Sequence, residues 1–107
     1  MKTYEDFAAF WIDDAAYQVG RGTRYLALAG ETDRDVSALC ESSAEAHGVL
    51  IRVRGAEVQV AAAQWVFDLL DANQSLPRHL LDALTGALLG YSADKIAEFC
   101  QPYEVEK

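Results

Sequence analysis

Apolar positions recur along this chain with two different periods, and the switches between them mark out its elements. Phe7, Ala8, Trp11, Ile12, Ala15, Ala16 and Val19 follow helical spacing, with Asp6, Ala9, Asp13 and Arg21 on other faces. They predict a helix from about Tyr4 to Val19. Thr3 with Asp6 forms a capping-box variant at its start, and Gly20 and Gly22 end it. The short run Arg24–Ala29, bounded by Gly22 and Gly30, has the length of a strand. Thr32 then reads as an N-cap, with Asp33 and Asp35 in a first turn where carboxylates favour the helix dipole. Val36, Leu39, Cys40, Ser43 and His47 mark the inward face of that second helix, which closes at Gly48.

Val49–Arg54 carries the clearest strand signal. Val49, Ile51 and Val53 point one way, and Leu50, Arg52 and Arg54 the other. Gly55-Ala56 fits a two-residue turn, after which Val58 and Val60 alternate with Glu57 and Gln59. A hairpin follows, with Arg52, Arg54, Glu57 and Gln59 on one solvated face.

The rest is helical. Ala62, Trp65, Val66, Leu69 and Leu70 form one stripe, closed by Asn73-Gln74. Ser75 is an N-cap candidate with Pro77 near the first turn, and Leu80, Leu81, Leu84 and Leu88 run on to Gly90. Ser92 caps a last helix with Ile96, Ala97, Phe99 and Cys100, stopped by Pro102 and followed by a frayed tail. The order is α-β-α-β-β-α-α-α. It predicts a single α+β domain over 1–107, with a two- or three-stranded sheet, helices packed on one face and a helical C-terminal half. The segment Arg24–Arg54 could be a right-handed crossover setting two strands in parallel. The rival is an all-α arrangement with Arg24–Ala29 helical.

At 107 residues the chain has the size of one domain, and a 51% apolar share excludes disorder. The net charge is −8, and neither half is basic: residues 1–54 hold six basic against nine acidic, residues 55–107 three against eight. Direct binding to nucleic acid or an anionic membrane is disfavoured, because phosphates need cations; a basic protein partner is favoured. No apolar run is long enough to span a bilayer. Glu5 and Asp6 stand where a signal peptide would be cationic and then apolar, which points to the cytoplasm.

Candidate chemistry is sparse. Gly30 between a strand and a helix start could cradle phosphate, but Glu31, Asp33 and Asp35 crowd it and neither glycine motif is present. Cys40 and His47, two turns apart, lie about 10 Å from each other, too far for a nucleophile and its base. Two histidines, His47 and His79, without CxxC or HExxH spacing make no metal set, and no cofactor is implied. His79 with Asp82 fits a surface pair. Asp13-Asp14 and Asp68/Asp71 fit solvated helix faces. Leu80–Phe99 has the outline of a helix-turn-helix, but Lys95 is outweighed there by Asp94 and Glu98. Gly86 and Gly90, four apart, suit close internal packing.

Arg21, Arg24, Arg52 and Arg54 are the one basic concentration, a candidate anion site, against which stands the favoured reading that they pair with surrounding acid. Phe67 and Leu89 fall outside the main apolar stripes, since each residue turns a helix by about 100°. With Asp68, Asp71 and Asp82 they form a candidate partner surface or homodimer contact. The reading that emerges is a non-enzymatic protein–protein interaction module, an adaptor or inhibitor. One alternative is a nucleic-acid mimic, with Asp13, Asp14, Asp68, Asp71 and Asp82 aligned on one surface; in size and charge it resembles small phage-encoded anti-defence proteins. Another is a small enzyme or ligand binder using the arginines or Cys40.

Overall fold

The computed structural model describes the backbone of residues 4–104 and the side chains of residues 7–98. The elements are α1 (Tyr4–Gly20), β1 (Leu26–Glu31), α2 (Ser37–His47), β2 (Leu50–Arg54), β3 (Glu57–Ala61), α3 (Gln64–Ala72), α4 (Arg78–Leu88) and α5 (Ala93–Glu104). The fold is α+β in the expected order, and the all-α rival fails because β1 pairs in a sheet. No helix among the described residues is long and apolar enough to cross a membrane.

The hairpin is set by its turn. Gly55 takes φ 62° while Ala56 stays at negative φ, the type II′ pattern in which glycine belongs at the first central position. The register then runs unbroken from Arg54↔Glu57 to Leu50↔Ala61. β1 joins on the other side of β3, giving three antiparallel strands in the order β1-β3-β2. β1 and β2 are therefore parallel to each other, as the crossover reading requires, but β3 lies between them.

Because side chains alternate across a strand, the sheet has two covered faces rather than one. Val60 and Ala27 meet Ala15, Ala16 and Val19 of α1, while Val58 meets Ala8, Ile12, Val36 and Cys40. On the opposite face, Leu26 and Ala61 pack with Val66, Phe67, Leu70 and Leu88. The helices thus occupy both faces, α1 and α2 on one and α3 with the end of α4 on the other. The expectation of a single covered face failed because the whole of β3 beyond Glu57 is buried, Gln59 included.

Several boundaries move for local reasons. β1 begins at Leu26 because the Tyr25 N–H already donates to the Leu88 carbonyl. It continues through Gly30, at φ 109°, beyond a register shift between Leu28 and Gly30. α2 begins at Ser37, not after Thr32. Thr32 Oγ1 accepts from the Arg34 amide and Asp35 Oδ1 from the Ser37 amide, so these side chains build a turn instead of a helix start. α4 starts after Pro77, whose carbonyl accepts from Leu80 and Leu81, rather than at a Ser75 cap. Ser92 caps α5 as read, accepting from the Lys95 amide, but the helix passes Pro102 and runs to Glu104. Asn73 and Gln74 close α3 by donating to the Leu69 and Leu70 carbonyls. The Thr3 cap lies outside the described residues, as do the side chains of Phe99 and Cys100.

The C-terminal ends of α1 and α2 converge at Gly20. A Cβ placed there would lie 2.8 Å from the His47 carbonyl oxygen. Gly20→Ala should therefore lower stability by about 1–3 kcal/mol, the usual cost of overpacking. A urea midpoint unchanged from wild type would show that the two helix ends are not packed this closely.

Candidate functional site

The polar face of the hairpin carries two of the candidate residues, Arg52 and Arg54, and meets two more, Phe67 and Asp71 of α3. Register sets Arg52 beside Gln59 and Arg54 beside Glu57. Arg52 donates through Nε to Gln59 Oε1 at 2.7 Å, and through its two terminal nitrogens to both oxygens of Asp71 at 2.8 Å. Its guanidinium lies 4.2 Å from the centroid of the Phe67 ring, a cation–π contact. Arg54 donates to the same Asp71 carboxylate. Gln59 Nε2 donates to Glu57 Oε1 at 2.8 Å. The hairpin is thereby fastened to α3. The hydrogen bonds from Arg52, with the charges of both arginines, hold the Asp71 carboxyl below the usual carboxylate range against a smaller opposing effect of desolvation.

The four arginines do not converge. Arg24 precedes β1 at the Leu26–Ala61–Leu50 end of the sheet, beside Gly90, while Arg54 sits at the turn end. Arg21 leans over the Tyr17 ring, 5.3 Å from its centroid. The pair that does meet, Arg52 and Arg54, is already engaged by Asp71. This is the pairing with nearby acid that the sequence allowed, not an open anion clamp.

The acids are similarly engaged. His47 Nε2 lies 2.8 Å from Asp13 Oδ1, tying α2 to α1. Asp68 accepts from Gln64 and Asp82 from Arg78, each one helical turn away. Cys40 is buried, and burial, with the charge of Asp35, pushes its thiol above the ordinary value. His47 faces Asp13 rather than Cys40. Among the described residues no group of three or more His, Cys, Asp or Glu could hold a metal ion.

The candidate partner surface is reordered. Phe67 is only 3% exposed and belongs to the core under Arg52, and Leu89 packs partly against the same cluster. Phe67 was misread because its companions on α3 sit against a second sheet face that the single-face arrangement lacked. The outward apolar residues are elsewhere. On α1 the buried stripe is Ala8, Ile12, Ala15, Ala16 and Val19, while Phe7, Phe10 and Trp11 are 47%, 68% and 46% exposed. The Phe7 and Trp11 rings stack at 6.2 Å. The signal was present in the sequence: spacing of three and four puts all three aromatics on one side, and the smaller residues make the better inner stripe.

Two grooves remain. One of about 570 Å³ follows β2, with walls from α2 and α3. Another of about 290 Å³ lies between the sheet and α4, with Leu28, Gln59, Arg54, Gln74, Arg78 and Asp82 around it.

Two measurements check this arrangement. Cys40 should react slowly with a thiol reagent in native buffer and rapidly in denaturant; rapid native labelling at neutral pH would restore the nucleophile reading. Asp71 has a folded pKa below its unfolded one, so its contribution is present above about pH 4 and is lost as pH falls through that range. Asp71→Asn should therefore flatten the acid side of a stability-against-pH curve. Parallel acid limbs for variant and wild type would mean that the carboxylate is not held by the arginines.

No protein-family model matches this chain, and no curated protein or solved structure matches it.

Proposed function

We propose that this protein is a non-enzymatic protein–protein interaction module. The observation that carries the reading is the aromatic side of α1. Phe7, Phe10 and Trp11 stand beside one another at a third or more of full exposure, with two of the rings stacked. Aromatic residues are enriched in protein interfaces because they bury much area at little entropic cost. The far field of a chain with net charge −8 draws in basic partners and repels nucleic acid.

The alternatives draw less support. A phosphate mimic needs carboxylates displayed together, yet four of the five acids, Asp13, Asp68, Asp71 and Asp82, each accept a hydrogen bond from a neighbouring side chain. An enzyme of this design would rely on Cys40, whose burial disfavours the thiolate, or on four arginines that do not converge, two of them already hydrogen-bonded to Asp71.

Affinity capture from the native host with mass-spectrometric identification tests the proposal. Phe10→Glu should leave the circular dichroism spectrum and melting midpoint unchanged, because the side chain is exposed, and reduce recovery of a specific partner at least tenfold. Equal recovery by the variant and wild type would remove the α1 face from the reading.

A further inference from the structure

We propose that the free edge of β2 binds an extended, basic segment of a partner protein as a fourth strand of the sheet. The proposal refines the interaction reading by naming a class of partner, and it stands on a surface other than the α1 aromatics.

The edge is open by register. A two-residue hairpin turn makes its flanking residues, Arg54 and Glu57, a hydrogen-bonded pair, and such pairs then recur at every second residue. Arg52 and Leu50 therefore direct their amide and carbonyl groups toward β3. Ile51 and Val53 direct theirs outward. No backbone bond from another element to Ile51 or Val53 occurs among the described residues.

The two edges of the sheet differ in how they are guarded. β1 is blunted by its irregular register around Ala29 and by terminal Glu31, both devices that discourage strand addition. β2 keeps a regular register through all five residues. Its two arginines would be the usual edge guards, but both are drawn across the sheet face to Asp71, leaving the edge clear. The groove beside that edge has the shape an extended chain needs. Cys40 and Ala44 of α2 form one wall, Phe67 of α3 the other, and Ile51 and Val53 lie between them. Side chains of an added strand would alternate between the two walls.

Charge selects the occupant. Among the residues around the groove the charged ones are Glu41 and Arg52, and Arg52 shares the Asp71 carboxylate with Arg54, which offsets one of the two arginine charges. An incoming segment meets Glu41 on α2 and the field of a body of net charge −8. A second copy fits poorly. Antiparallel pairing of two β2 edges about an axis through Arg52 would set Arg52 against its own counterpart, with like net charges on both molecules.

The test uses the full chain and a synthetic octapeptide of alternating valine and threonine with lysines at both ends. Amide hydrogen exchange of the free protein should find Ile51 and Val53 fast and Arg52 protected. The peptide should bind saturably by fluorescence anisotropy at low salt and protect Ile51 and Val53. A glutamate-flanked peptide should bind at least tenfold more weakly. Val53→Pro removes one outward amide without breaking a ladder bond and should weaken binding at least tenfold. Should that variant fold poorly, methylating alternate peptide amides makes the same test on the wild-type protein. No binding at millimolar peptide, equal binding of the lysine and glutamate peptides, or indifference to amide methylation would overturn the proposal. A dimer in sedimentation that Val53→Pro dissociates would also overturn it, by making a second copy the occupant. A failed peptide with intact capture through α1 would sink the edge site alone.

Discussion

The fold depends on one constraint: β3 is buried on both faces, but its alternation leaves one of those faces polar. Val58 and Val60 face α1 and α2 without difficulty. Gln59 and Ala61 face α3, and an amide buried there without partners would be costly. Arg52 resolves this from the neighbouring strand. It donates to Gln59, and the same guanidinium spans Asp71 and covers Phe67. A polar strand face thereby becomes an attachment point for a helix. Arginine suits the position better than lysine, because its planar fork meets a carboxylate at two points while its flat side lies on a ring.

That attachment explains why some of the structure was legible in the sequence and some was not. Local signals were read well. Gly55-Ala56 turned where it should, the strand on either side kept its alternation, and Gly48 at φ 66° ended α2. Arg52 and Arg54 were placed correctly opposite Gln59 and Glu57. The reading failed where one segment's role is set by another far along the chain. The polar hairpin face looked solvated because nothing near it in sequence announces that Asp71, 19 residues from Arg52, will close over it. Phe67 looked surplus for the same reason. On α1 the stripe Ala8, Ile12, Ala15, Ala16 and Val19 is buried as expected, but Phe7 and Trp11, grouped with it by spacing, turn outward because the smaller residues make the contact with the sheet. Thr32 and Asp35 illustrate competition of another kind: good capping residues that satisfied nearby turn amides instead.

The same interaction organises the candidate surfaces. An edge strand bearing two arginines would ordinarily resist further pairing, since charged side chains on an edge discourage it. Here the long side chains are drawn to Asp71, which offsets one of their two charges, and their stems lie on the sheet face. What remains at the edge is backbone and the β-branched pair Ile51 and Val53, between two helices that prevent the sheet from extending without limit. The acidic excess is not spread evenly over this arrangement either. Three of the five acids that could have formed a phosphate-like array, Asp13, Asp71 and Asp82, are tied to His47, to Arg52 and Arg54, and to Arg78. Internal pairing of this kind lowers the local display of charge but leaves the net charge, and hence the long-range field, as it was. A partner would feel that field at a distance and meet mostly aromatic rings, apolar side chains and amide groups on contact.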